Sequence, residues 1–456
     1  MFHLRKSTLN LPPGPTFFTV LRTTWQMRDN QHELLRTLWE DYGDVVRIPS
    51  AVRTLYLVSD PELVKYILQD NNRNYVKGRG LQKAKALVGH GLLTSEGDFW
   101  RRQRRLMQPA FHRQRIAEFV QIMTAAAVAA RDRMAEQAQQ DVPVNVAASM
   151  MHLTLDIISK TMFSTALRPE EMAQVEEVMP FLLRVTTGRT TALLDVMERL
   201  PTSENKRYNQ YRDRLDSIVY RIIEERRRSG QRHNDLLDML LEAQDEDTGE
   251  RMDNAQLRDE AITIFLAGHE TTANLLAWSL HLLSQHPQHA ERVQAEVDSV
   301  LDGGVPTMAD LGALRYTRMV LDEALRLYPP AWIFSRAAVE DDRLGTYDLP
   351  AGTDVLISPF IIHRDPRYWQ KPERFDPQRF DPAVESDRPR FAYVPFGTGP
   401  RLCIGRDFAL IEATLILAML VQRFEFAPVP EKPVEPIVSF TLRPKNGVWL
   451  EVKERA

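Results

Sequence analysis

Residues Phe396-Gly397-Thr398-Gly399-Pro400-Arg401-Leu402-Cys403-Ile404-Gly405 carry the only cysteine of the chain. Glycines on both sides of it permit a tight bend. An apolar run, Ile404 to Arg423, follows at once and reads as one long helix. Cys403 therefore stands at the positive end of that helix, among free backbone amides that favour thiolate over thiol. Phe396 is placed to shield the sulfur, and Arg401 supplies a nearby cation. A thiolate held by amide donors against an apolar wall suits an axial iron ligand, because such hydrogen bonds tune the metal. Two other readings stand beside it: a small buried core residue, and a nucleophile activated by a histidine that only the fold would bring near.

A lone cysteine excludes an intrachain disulfide, a cysteine-rich zinc site and a four-cysteine iron–sulfur cluster, and it suits a reducing cytoplasm. The 456 residues are 43% apolar and 26% charged, as in a folded globular protein, and the net charge of −4 gives no sign of a nucleic-acid partner. No run reaches the ~18 apolar residues of a membrane span. The start, MFHLRKSTLNLPPGP, lacks an apolar signal core.

The rest of the chain predicts a mainly α domain with a smaller β-rich portion, one unit over 1–456. The proline-rich segment 1–15 is stiff. Helices are expected over Gln31–Tyr42, Lys206–Arg228 (ended by Ser229-Gly230) and Asn254–Gln285, the last capped by Asp253 with Gln256 three residues on. Val45–Ile48 and Thr54–Val58 read as a hairpin, and Asp60-Pro61-Glu62 opens a helix. Asn74–Gly97, rich in glycine, reads as a mobile loop, and Gln244–Glu250 as an acidic one.

The decapeptide around Cys403 resembles the haem-binding loop of the cytochrome P450 superfamily, F-x-x-G-x-R-x-C-x-G, at every fixed position. That resemblance implies the P450 fold and haem b (iron protoporphyrin IX), with Cys403 as iron ligand and Phe396 and Arg401 beside the cofactor. Further motifs follow. Ala267-Gly268-His269-Glu270-Thr271 is similar to A-G-x-[D/E]-T, which implies catalytic roles for Thr271, at the bound oxygen, and Glu270, in proton supply, with Ala267 and Gly268 leaving room. A zinc-protease reading of His269-Glu270 fails, because position 273 is alanine. Trp100 and Arg104 fit W-x-x-x-R, one helical turn apart. With Arg336 and His363 they are implied contacts of the haem carboxylates. Glu323-Ala324-Leu325-Arg326 and Pro372-Glu373-Arg374-Phe375 resemble E-x-x-R and P-E-R-F, implying a structural ion network of Glu323, Arg326 and Arg374.

The implied reaction is insertion of one oxygen atom of O2 into a lipophilic substrate. EALRLYPPAWIFSR resembles bacterial carotenoid hydroxylases, which points to a terpenoid or carotenoid, with fatty acid, steroid or a peroxide-driven reaction as alternatives. Expected cavity walls are Leu81–Leu93, Phe181–Leu194, Pro330–Phe334 and Ser439–Thr441. Little chain follows Cys403 and little precedes Leu11, so neither a fused reductase nor a membrane anchor is expected. Electrons would come from a separate ferredoxin- or flavodoxin-type protein, docking on the arginines of residues 100–115. A cytoplasmic monomer is expected.

Overall fold

The computed structural model describes residues 9–27, 30–50, 54–164, 167–191, 200–244, 249–384 and 387–455. Helices α1 (Phe17–Gln26) and α2 (Gln31–Tyr42) lead into strands β1 (Val45–Pro49) and β2 (Thr54–Val58), which pair antiparallel with Val45 opposite Val58. The Asp60 carboxylate caps the next short helix, accepting from the Leu63 amide at 2.9 Å.

In the stretch expected as a loop, residues 89–96 are turns and irregular backbone, while the first part is instead strand β3 (Tyr75–Lys77) and two short helices, Arg79–Lys83 and Lys85–Val88. Ala84, Leu87 and Val88 are buried there at helical spacing, and packing outweighs the glycine content. Then come α3 (Gly97–Met107), α4 (Arg113–Ala138), α5 (Val146–Phe163), α6 (Pro169–Thr191), α7 (Ser203–Ser229), α8 (Asn254–Gln285), α9 (Pro287–Leu301) and α10 (Arg315–Leu327). Gly230 ends α7 at φ +62°, the left-handed conformation glycine adopts freely. The acidic loop expected over Gln244–Glu250 falls partly outside the described residues, at 245–248.

Strands β4 (Phe334–Ala338) and β5 (Asp354–Ile357) complete a five-stranded sheet of order β1-β2-β5-β4-β3, in which β2 and β5 run parallel. Helix α11 (Arg406–Arg423) starts after a 3-10 turn at Gly399–Arg401, slightly later than its apolar run suggests. Strands β6 (Pro436–Val438) and β7 (Leu442–Pro444) form a hairpin, and Trp449–Glu454 pairs with Phe424–Pro428 and Val144–Asn145.

Helix α8 is the axis of the molecule. It is apolar on nearly every side, so it is stable only when surrounded. It packs most extensively on α5, and also on α7, α10 and α11. The Asp253 carboxylate starts it, accepting from the Gln256 amide at 2.7 Å. The loop before α11 lies on one side of α8, with the sheet closing the flank.

Candidate functional site

Between α8 and the Cys403 loop runs a cavity of about 790 Å³ that extends to α1 and α2. The loop is a tight one. The Cys403 amide donates to the Phe396 carbonyl at 3.0 Å. Gly399 sits at φ +66°, and a Cβ there would overlap the Leu68 carbonyl, so no other residue fits. The accessible surface of Cys403 faces the cavity interior, not solvent. Burial pushes its thiol up, while the Gly405 amide and the Arg104 and Arg406 guanidinium groups pull it back. The helix end alone does not win against burial; a metal cation beside the sulfur would remove that proton outright.

Around the same cavity the chain gathers Lys77, Trp100, Arg104, Arg336 and Arg401. Arg401 pairs with Glu96 and stacks its guanidinium 4.6 Å from the Trp100 ring centroid. Arg104 donates to the Leu402 carbonyl at 2.8 Å, which ties α3 to the cysteine loop. Burial, with repulsion from Arg401 next, depresses Lys77 to about 7 and Arg336 to about 10. Arg401 Nη1 is buried without a hydrogen-bond partner. Lys77, Arg336 and Arg401 crowd together beside Glu96, with Glu260 also acting on Lys77. Buried charge needs partners, and a ligand with two carboxylates lying between this cluster and a thiol meets that need. The donor set therefore fits haem: Cys403 for iron, the cluster for the propionates. Among the described residues no cluster of three or more His, Cys, Asp or Glu offers a competing metal site.

On the opposite wall α8 presents Ala267, Gly268, Glu270 and Thr271. The Thr271 hydroxyl donates back to the Ala267 carbonyl at 2.6 Å. Burial raises Glu270, and the Arg443 guanidinium and Thr441 hydroxyl oppose that rise. Gly268 has a packing reason the sequence did not reveal: a Cβ there would meet Ile158 of α5 at 2.8 Å. It lets the two helices approach as well as lining the cavity.

His363 stands apart. It does not line the cavity but is fully buried, where its Nε2 accepts from the Val394 amide at 2.9 Å and its carbonyl accepts from Arg326 at 2.9 Å. Burial and the neighbouring Arg326 and Arg364 keep its pKa well below the usual histidine value. The expectation of a carboxylate contact therefore gives way to a role in the ion cluster beneath.

That cluster also differs from expectation. Arg374 contributes only its carbonyl, which accepts from Arg326 at 3.1 Å. The second guanidinium near Glu323 belongs to Arg379, at 3.5 Å. Two similar tetrads follow one another, Pro372-Glu373-Arg374-Phe375 and Pro377-Gln378-Arg379-Phe380. Spacing alone favours neither.

Lys77 is a site residue the sequence reading missed. The strand alternation that puts Tyr75 and Lys77 on one buried face was its only trace. All four expected wall segments contribute: Leu81 to Leu93, Leu183 to Thr190, Pro330 to Phe334 and Ser439 to Thr441. Residues 192–194 of the second lie outside the described residues.

A family model, cytochrome P450, matches residues 12–451. The chain is 41% identical over 395 residues to cyclooctat-9-en-7-ol 5-monooxygenase of Streptomyces melanosporofaciens, covering 85% of this chain and 84% of that one. It is 38% identical over 398 residues to cyclooctatin synthase of the same species, covering 87% and 85%. It is 35% identical over 443 residues to pentalenene oxygenase of Streptomyces avermitilis, covering 97% of each. A single cysteine facing a cation-rimmed cavity and a family match over nearly the whole length agree: the chain belongs to the cytochrome P450 family, the haem-thiolate monooxygenases.

Proposed function

We propose that this monooxygenase hydroxylates a cyclic terpenoid. The observation that carries the reading is the cavity itself. Away from the cation cluster it is walled by Leu87, Val88, Leu183, Leu266, Trp332 and Phe440, and threonine is the commonest polar residue there. Such a wall suits a hydrocarbon skeleton with few polar handles. The printed names of the relatives, two acting on cyclooctatin-type compounds and one on pentalenene, lend the same class.

When bound, the haem supplies oxygen activation, with one atom going to the substrate and the other leaving as water after two electrons and two protons. The chain's own part is narrower. Cys403 would hold the iron. Lys77, Trp100, Arg104, Arg336 and Arg401 would fix the cofactor's carboxylates. Thr271 and Glu270 would hold and pass protons on the substrate side, and the buried Glu270 carboxyl, bordered by Thr441 and Arg443, is the group placed to release them. The walls orient the substrate carbon.

Electrons would arrive on the cysteine side. There a second cavity of about 520 Å³ is lined by Arg101, Arg105 and His112 beside Gly399 and Pro400. This rim suits an acidic ferredoxin or flavodoxin. Arg101 pairs with Asp98, and Arg102, outside this cavity, pairs with Glu250. No described helix is long and apolar enough to cross a membrane. The lone thiol suits a reducing cytoplasm.

The test is turnover of the holoenzyme under ¹⁸O₂ with surrogate electron donors, offering cyclic terpenes, a carotenoid, a steroid and a long-chain fatty acid. Label in a terpene product supports the reading. Arg79 and Lys83, which also line the cavity, favour a carboxylate substrate; label only in the fatty acid would overturn the terpenoid assignment.

A further inference from the structure

The cavity wall from Leu87 to Leu93 is held by three consecutive residues of α8. Arg258 Nη2 donates to the Leu87 carbonyl at 3.0 Å. The Asp259 carboxylate accepts from the His90 amide at 2.7 Å. The Glu260 carboxyl accepts from the Leu92 amide at 2.8 Å. The fit is close. A Cβ at Gly89 would overlap the Asp259 carboxylate, and one at Gly91 would overlap the Thr263 hydroxyl. From the other side, Lys77 Nζ donates to the carbonyls of Leu92 at 2.7 Å and Ser95 at 2.8 Å. The Leu92 peptide is thus gripped at both ends, its amide from α8 and its carbonyl from the cation cluster, while Leu92 itself lines the cavity.

Glu260 does not line the cavity, and its side chain is fully buried behind the wall. We propose that Glu260 is a positioning residue for specificity: through the Leu92 amide it sets how far the wall Leu87–Leu93 stands from α8, and so which substrate shapes enter. The proposal rests on this cavity being the substrate site. Burial, opposed by the Leu92 amide and assisted by Asp259, raises Glu260 to about 8, so near neutral pH it is largely a carboxylic acid. An acid of that kind holds the amide with a neutral acceptor, which a glutamine amide reproduces. Arg258 extends the grip to α7, where Arg258 Nε donates to Asp216 at 2.9 Å. The wall is therefore tied to α7 as well as to α8.

The experiment compares holoenzyme with the Glu260→Ala, Glu260→Gln and Asp259→Ala variants by amide hydrogen exchange over residues 86–95. Binding of one linear and one tricyclic C15 hydrocarbon is followed by the haem absorption shift. Loss of one buried hydrogen bond should speed exchange at Leu92 about tenfold in Glu260→Ala. The preference between the two ligands should change with it, and Glu260→Gln should restore both. Asp259→Ala, at a less buried position, should speed exchange at His90 while sparing Leu92, which keeps the assay readable if Glu260→Ala folds poorly. Unchanged exchange in Glu260→Ala, an unchanged ligand preference despite faster exchange, or failure of Glu260→Gln to restore either would overturn the proposal. If neither hydrocarbon binds the parent protein, the terpenoid reading falls, and exchange at Leu92 still decides the clamp.

Discussion

Glu323 and Arg326 meet as a two-bonded fork with neither side chain exposed: Nε donates to Oε2 at 2.7 Å and Nη2 to Oε1 at 2.8 Å. The remaining Arg326 donors go to the carbonyls of His363, Pro372 and Arg374, and the Asp376 amide donates to Glu323 at 2.9 Å. Removing one partner of such a pair strands a buried charge, at about 3–5 kcal/mol. Glu323→Ala should therefore fold poorly and retain little haem, measured by urea unfolding and by haem content. Arg374→Ala, which keeps the carbonyl, should stay within about 0.5 kcal/mol of the parent. Equal losses in the two would show that Arg374 acts through its side chain after all.

Replacing Cys403 by serine should leave a folded chain, because the loop is closed by the backbone bond from residue 403 to Phe396 and by the left-handed glycines. The reduced carbon monoxide complex should lose its thiolate-type spectrum. A retained spectrum would place the iron ligand elsewhere.

Glu270→Gln removes an ionisable proton donor and keeps the side-chain shape. Product formation should drop by roughly 100-fold, in the range general acid catalysis contributes. Thr271→Val should lower the product formed per O2 consumed and raise peroxide release. Stopped-flow reduction rates should be the same in both variants as in the parent, since neither side chain lies on the electron-donor face.

Four buried histidines set an acid limit, His363 with its strongly lowered pKa among them. His32, His269 and His281 are each lowered to about 4, chiefly by burial. Their unfolded value lies near 6.5. Between these values the unfolded chain binds more protons than the native one, so stability is full above pH 6.5 and is lost as pH falls toward 4. Each histidine contributes a slope of about 1.4 kcal/mol per pH unit in that window. His281→Asn should flatten the slope by one histidine's share, read from urea midpoints at pH 5 and pH 7. An unchanged slope would mean His281 is already protonated when folded.

Charge reversal at Arg101 and Arg105 should slow reduction by an acidic donor and weaken the salt dependence of that rate. The same change at Arg102, which does not line that cavity, should matter less to that rate.

Much was readable from the chain alone. The cysteine loop, the α8 cap at Asp253, the β1–β2 hairpin and the residues Trp100, Arg104, Glu270 and Thr271 are local patterns, each encoded within a turn or two of sequence. What failed was nonlocal. Lys77 looks like any strand lysine until the fold buries it among Arg336 and Arg401. His363 lies in a stretch that suggested the cofactor, but its ring turns to Val394. Arg374 and Arg379 sit in near-identical tetrads, and only packing against Glu323 separates them. The helices at 79–88 were hidden by glycines whose apolar neighbours found a core to bury in.

By itself, then, the sequence determined the family, the cysteine proposed as iron ligand and the order of the long helices, because motifs and capping depend on neighbours along the chain. Tertiary structure alone decided which cations crowd one cavity, which arginine reaches the buried glutamate and how three residues of α8 grip the wall before α3. Those are contacts between segments distant in sequence, and their energies arise from burial and proximity that no linear spacing specifies.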